Sequence, residues 1–384
     1  MRAPIPVIAG FFIVIILSNP MLGNTFTHRG LVAGWAIGSL QGSLDPQLGV
    51  RTIPEFTLEQ RVSPAVVFDM EFSLNAYGTA RVRSGEDTVT DGKLDPYRLW
   101  FRLSTSQFEA RIGLQKINFG SASLLRPLMW FDSIDPRDPL QLTDGVYALL
   151  LRYFFVNNAN VWLWGLYGDD KTKGWESLPT VKDTVEYGGR VQLPLLSGEW
   201  AVTYHHRRAD LSEYPIPIPL LSGTNPETPE DRVGLDGKWD VGIGIWIEGT
   251  LVHQDHDLLP QPWQRSLNLG ADYTFALGNG LNILGEHFRL ERSEKAFASG
   301  DGFDFSALFL RYPFSILDDL TAIIYYDWDK EDFYRFLNWQ RTYDRWRFNV
   351  IAFWNPDVFL IYPSQPGGNP FAGKGFQLMA VFNY

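Results

Sequence analysis

Three sets of charged or amide side chains recur at spacings of two or four residues, the repeat that puts them on one face of an extended strand. Arg98 and Arg102 form one set, Glu109, Arg111 and Gln115 a second, Glu186 and Arg190 a third; Arg152 stands in an otherwise apolar run. A separate stretch carries Asp132, Asp135, Arg137 and Asp138 among prolines and large apolar residues. Guanidinium groups facing carboxylates can do two things. They set up a transverse field that sorts small polar or charged solutes, or they tether a loop through bidentate pairs. The two roles are compatible, and neither is enzyme chemistry.

Catalytic alternatives are weak. The six histidines are His28, His205, His206, His253, His256 and His287. His205 and His206 would point to opposite faces of a strand, which prevents joint ligation. His253 and His256, with Asp255 between them, lie where a strand opens into a loop, a setting for surface histidines. No Gly-x-Ser-x-Gly, His-Glu-x-x-His or P-loop occurs, and Gly242-x-Gly244 precedes a strand, so it is no nucleotide fingerprint. The expectation is a non-enzyme with no metal and no cofactor. A net charge of −11 without a basic patch also disfavours nucleic acid as a partner.

The elements that must position these residues are strands. In Ser106–Gly120, Glu109, Arg111, Gly113 and Gln115 alternate with Phe108, Ala110, Ile112 and Leu114, giving one polar and one apolar face. Asp144–Phe155 holds its partner, and the connection between the two strands, 117–144, has roughly 28 residues where a hairpin loop usually has two to five. Leu124, Leu125, Leu128, Met129, Trp130 and Phe131 in that insert need a surface to pack on, so the loop is expected to tuck into the mouth of a barrel. Val66 to Ala76 alternates as cleanly, with Asp69, Glu71, Ser73 and Asn75 on its second face.

Composition agrees with β structure: 15% aromatics, 35 glycines, no cysteine, and a slightly negative mean hydropathy that excludes a helical membrane protein. Arg2 precedes an apolar run over Ile5–Leu17 that is too short to span comfortably and suits a signal peptide, so residues 1–23 are read as a signal and 24–384 as one barrel domain.

Sixteen to 18 strands are expected, and the connections between them alternate in length. Long ones fall at 39–50, 78–96, 117–144, 169–183, 208–230, 255–263, 293–303 and 355–374, with Asp329–Asp332 a short exception. Short ones include Arg61–Ser63, Thr105, Val156–Asn158 and Thr342–Tyr343. Short turns at one end and long loops at the other mark a transmembrane antiparallel up-and-down β-barrel, all-β, with its long loop folded inward after strand 5. Trp346, Phe348, Val350, Ala352 and Trp354 form a lipid-facing row capped by aromatics, as do Phe376, Leu378, Ala380, Phe382 and Tyr384.

Two resemblances follow from these residues. The last strand, alternating and ending in Tyr384, resembles the C-terminal signature read by the outer-membrane assembly machinery. Arg111-Ile-Gly-Leu-Gln115, Phe119-Gly120, Asp135-Pro136 and Asp138-Pro139 look like the signature of porin-like barrels that include alginate-export-type proteins, with Lys116 and Phe119 departing from the usual Arg and Trp. That resemblance supports the porin-like class; together with the strand pattern and the inward polar faces, the chain reads as an outer-membrane channel for passive diffusion of small polar or charged solutes, constricted by 117–144. Arg98, Arg102, Glu109, Arg111, Gln115, Arg152, Glu186 and Arg190 would line the pore, and Asp132, Asp135, Arg137 and Asp138 would furnish the constriction. Expected partners are solutes or ions, outer-membrane lipid, the assembly machinery and further copies of the chain. The alternative is a barrel that scaffolds a partner or conducts an exported polymer.

Overall fold

The computed structural model describes residues 24–40, 46–82, 88–168, 170–213, 226–257, 259–356 and 371–384. The signal peptide read over 1–23 lies outside them, as do parts of six of the long connections. The first four strands are β1 (Asn24–Ser39), β2 (Gln47–Ser63), β3 (Val66–Arg81) and β4 (Val89–Ser104). Shorter ones follow: β5 (Phe108–Gln115), β6 (Val146–Phe154), β7 (Asn160–Tyr167), β8 (Val185–Leu195) and β9 (Gly198–Asp210). Beyond them come β10 (Glu227–Asp240), β11 (Gly244–Gln254), β12 (Trp263–Phe275), β13 (Leu281–Ser293) and β14 (Asp301–Pro313). The set ends with β15 (Asp318–Asp327), β16 (Asp332–Tyr343), β17 (Trp346–Trp354) and β18 (Lys374–Asn383).

Every strand pairs antiparallel with its sequence neighbours, and β1 closes the sheet on β18 with Ala33 opposite Val381 and Trp35 opposite Met379. The fold is therefore an 18-stranded closed barrel, the architecture of outer-membrane proteins. Closure removes the free sheet edges that hydrocarbon cannot hydrogen-bond. Alternation does the rest. Leu267, Leu269, Val350 and Leu378 are exposed on the outside, while their neighbours Asn268, Asn349, Ile351 and Gln377 are buried.

Two features differ from the sequence expectation. The connection expected at 78–96 is mostly strand, because Gly78 pairs with Gly92 and Ala80 with Thr90; polar, glycine-containing strand ends read as loop. The inner wall is also less polar than expected. Phe288 (β13), Phe305 (β14), Tyr325 (β15), Tyr334 and Phe336 (β16) and Phe353 (β17) form one apolar cluster with Leu124, Leu125, Met129 and Phe371. Val146, Ala148, Leu150, Trp164 and Leu166 of β6 and β7 form another with Phe119, Leu128, Trp130 and Phe131.

Outward Val350 sits at the middle of β17, so Val350→Arg is expected to cost about 2–4 kcal/mol of folding free energy. Denaturant titration of the protein refolded into lipid vesicles measures it; a loss below about 1 kcal/mol would show that this side chain does not meet the hydrocarbon.

Candidate functional site

The connection 116–145 is the chemical centre of the molecule, and its hold on the wall begins with backbone amides. Glu248 of β11 accepts from Ser121 N (2.7 Å), Ala122 N (2.9 Å) and Leu128 N (2.6 Å). Glu286 of β13 accepts from Ser123 N (2.6 Å), Leu124 N (3.0 Å) and Leu125 N (2.6 Å). Three successive N–H groups converging on one carboxylate form an anion-binding nest. Asn268 of β12 completes the set, donating to Leu125 O at 2.8 Å and to Glu286 Oε2 at 3.2 Å. Each charge-assisted bond contributes about 1.5–3 kcal/mol, and a buried loop amide without one would carry a comparable penalty.

The motif residues have local reasons. Gly120 has φ 104°, and a Cβ there would lie 2.5 Å from Glu248 Oε2, so only glycine lets the loop close on that carboxylate. Gly113, paired with Trp100 of β4, has φ 121°, and a Cβ would meet Leu99 O at 2.2 Å, so the close approach of β5 to β4 requires glycine there. Gln115 is wholly buried and donates to Ala148 O at 2.9 Å, clamping the exit of β5 to β6. Phe119 stacks on Trp164 and meets Trp130 and Phe131 edge-on.

The expected site residues divide into groups. Arg102, Arg111 and Arg152 come together around Glu109 at 3.5, 3.1 and 3.6 Å, and Arg102 also binds Asp69 at 2.9 Å. Trp100 and Trp162 back this row, Arg152 standing 3.8 Å from the Trp162 ring centre. Arg98 sits apart and donates to Thr143 O at 3.0 Å. Arg190 is buried in a two-pronged pair with Asp236 (2.6 and 2.9 Å), and Asp236 also takes Ser121 Oγ. Glu186 is buried against His205 Nε2 at 2.9 Å, whose Nδ1 accepts from Trp164 Nε1; His205 therefore donates to Glu186. His206 points the opposite way, toward Asp231.

The loop aspartates do not pair with the wall arginines. Asp132 binds Arg126 at 2.7 and 3.1 Å, and Asp135 binds Arg137, both within the loop. Asp138 is different. Burial holds its carboxyl above the usual carboxylate range, against donation by Leu140 N and the field of Arg51 on β2. Arg347 on β17 also lies in its field. Sequence reasoning missed Glu248, Glu286, Arg51 and Arg347. Glu248 and Glu286 have loop partners more than a hundred residues away whose contribution is backbone, so only their placement on inward-facing strand positions could have flagged them.

No family model and no curated protein sequence matches the chain, so the alginate-export-type likeness rests on its motif residues alone. Solved structures do match in fold. The chain is similar to OccK5 (OpdH) of Pseudomonas aeruginosa (TM-score 0.56, 11% identity, 94% of this chain and 97% of that one). It is also similar to OmpT, an outer membrane protein of Vibrio cholerae in a trimer form (0.53, 11%, 94% and 100%). A third is the outer membrane channel DcaP of Acinetobacter baumannii (0.50, 11%, 94% and 98%).

Removing both carboxylates, with Glu248→Ala and Glu286→Ala, is expected to free the amides of 121–128. Hydrogen exchange there should accelerate at least a hundredfold, about 3 kcal/mol, while strand amides stay protected. Unchanged loop protection would mean that apolar packing alone holds the segment.

Proposed function

We propose that this protein is an outer-membrane channel for passive diffusion of small polar or charged solutes, with segment 116–145 lying across the bore as its constriction. One observation carries the reading. The segment is bound to inward-facing Glu248 and Glu286, while on β4–β6 Arg102, Arg111 and Arg152 gather around Glu109 with part of their side chains open, Arg102 with 32% of its side-chain surface exposed. On this reading a water-filled passage follows that side of the wall, and the apolar clusters keep the remaining sector dry.

In this reading the arginines split by role. Arg102, Arg111 and Arg152, with Glu109, form a ladder along the passage, which sorts solutes by charge. Arg98, Arg190, Glu186 and Gln115 hold the loop or the wall beneath it. Asp132, Asp135 and Arg137 keep the loop's own shape. Asp138, facing Arg51 and Arg347, supplies the transverse field at the narrowest section, the usual lever of selectivity in a pore. One fold neighbour, DcaP, is an outer membrane channel, which agrees with this reading.

Planar-bilayer recordings test it. The refolded protein is expected to conduct, and deletion of 121–140 to raise its conductance severalfold. Neutralising Arg51, Arg111 and Arg347 is expected to move the reversal potential toward cations. Asp138→Asn is expected to move it toward anions. Because the Asp138 carboxyl is raised, wild-type protein should drift toward anions at a higher pH than an ordinary carboxylate would require, and Asp138→Asn should remove that drift. A barrel that inserts yet carries no current would leave the scaffold role in place of the channel.

A further inference from the structure

A second site lies beside the loop at the end of the barrel that carries the long connections. It is a cavity of about 90 Å³ between the loop tip, residues 173–177 and the ends of β10 to β13. At about 30 Å³ of liquid volume per water it takes about three waters, so a sugar ring would enter it in part and stand partly in its open mouth. Met129, Trp130, Trp175 and Val252 make its apolar side. Trp175 is rigid there, stacked on Phe288 at 4.5 Å and donating Nε1 to Arg126 O at 2.9 Å.

The polar side is unusually well specified. Gln254 donates Nε2 to Glu230 at 2.6 Å, Gln261 donates Nε2 to Asp301 at 2.7 Å, and Gln264 accepts Arg292 Nε at 3.2 Å. A charged partner on one end fixes which way each amide points. The opposite ends, Gln254 Oε1, Gln261 Oε1 and Gln264 Nε2, take no protein hydrogen bond among the described residues, and all three side chains line the cavity. The site thus offers two acceptors and one donor, all neutral and pre-oriented.

The charged groups do not select an ion. Glu230 is engaged by Arg207, Arg232 and Gln254, and Glu176 by Arg232, Arg207 and the Lys173 amide, so neither carboxylate is open to a cation. Of the cations on the same lining, Arg232 is committed to those two carboxylates, Arg292 donates to Gln264, and Lys173 lies in the field of Glu176. Two of the three open amide ends are carbonyl oxygens, which repel an anion. A ligand that both donates and accepts, carries no charge and has one apolar face satisfies all of these at once. We propose that this cavity binds one neutral pyranose unit of a free saccharide, its hydroxyls on the three glutamines and its C–H face on the tryptophan side. The site is separate from the passage proposed above, so its binding does not depend on conduction.

The test uses the full barrel refolded in a detergent without a sugar headgroup, with methyl α-D-glucopyranoside, galactopyranoside and mannopyranoside as probes and saturation-transfer NMR as readout. Saturable binding of at least one glycoside in the millimolar range is expected. Gln261→Leu with Gln264→Leu should weaken it about tenfold at unchanged circular dichroism; should that pair fail to fold, Gln261→Leu alone should weaken it about threefold. No saturable binding of any of the three up to about 100 mM would overturn the proposal. So would undiminished affinity in the folded variants, or glucuronate binding about tenfold more tightly than the neutral glycosides, which would mark an anion site.

Discussion

A backbone amide shielded from water must find an acceptor, and this molecule meets that requirement twice. Around the wall, the solution is the ladder: 18 antiparallel strands with β1 returned onto β18, so that no row of N–H groups faces hydrocarbon. Segment 116–145 has no strand to pair with. Its amides go instead to Glu248 and Glu286, two carboxylates that strands β11 and β13 present inward. A glutamate accepts several donors without demanding a strand's geometry, so an irregular segment can be fixed against a regular wall. Gly120 belongs to the same solution, since any side chain there would occupy the position of the Glu248 carboxylate.

The two glutamates orient the loop but do not fill the space around it. That falls to large apolar groups on both sides: Leu124, Leu125 and Met129 against the aromatic inner faces of β13–β17, and Leu128, Trp130 and Phe131 against β6 and β7. Fully burying such a side chain stabilises by about 1.5–3 kcal/mol. Polar anchoring and apolar packing are complementary. The carboxylates bond only where the chain bends onto them, and the packing favours only the conformation in which those bends are made.

Much of the fold was legible because one rule governs it. Alternation with period two, broken by turns, locates Arg98, Arg102, Glu109, Arg111 and Arg152 on inward faces without knowledge of any partner. The same rule fails where both faces are apolar for different reasons. Phe336 and Phe353 face inward and are as apolar as Val350 and Leu378, which face outward, so hydropathy alone does not separate packing against the loop from packing against lipid. Pairing was less legible still. Asp132 and Asp135 read as counter-charges for wall arginines, yet each has an arginine within six residues of its own chain, and a partner held close by local geometry is reached first.

This preference leaves Asp138 with an uncommon position among the loop acids. Its neighbours Arg126 and Arg137 already bind Asp132 and Asp135, so those two pairs cancel and Asp138 is left with its field on Arg51 and Arg347. A carboxylate committed to an internal ion pair contributes little beyond a few ångströms, because the paired cation cancels it. One paired only with backbone amide donors keeps its net charge. The electrostatic character of the segment therefore comes down to one residue of the three, and sequence position alone did not distinguish it: the distinction arises from which arginines the loop supplies for itself.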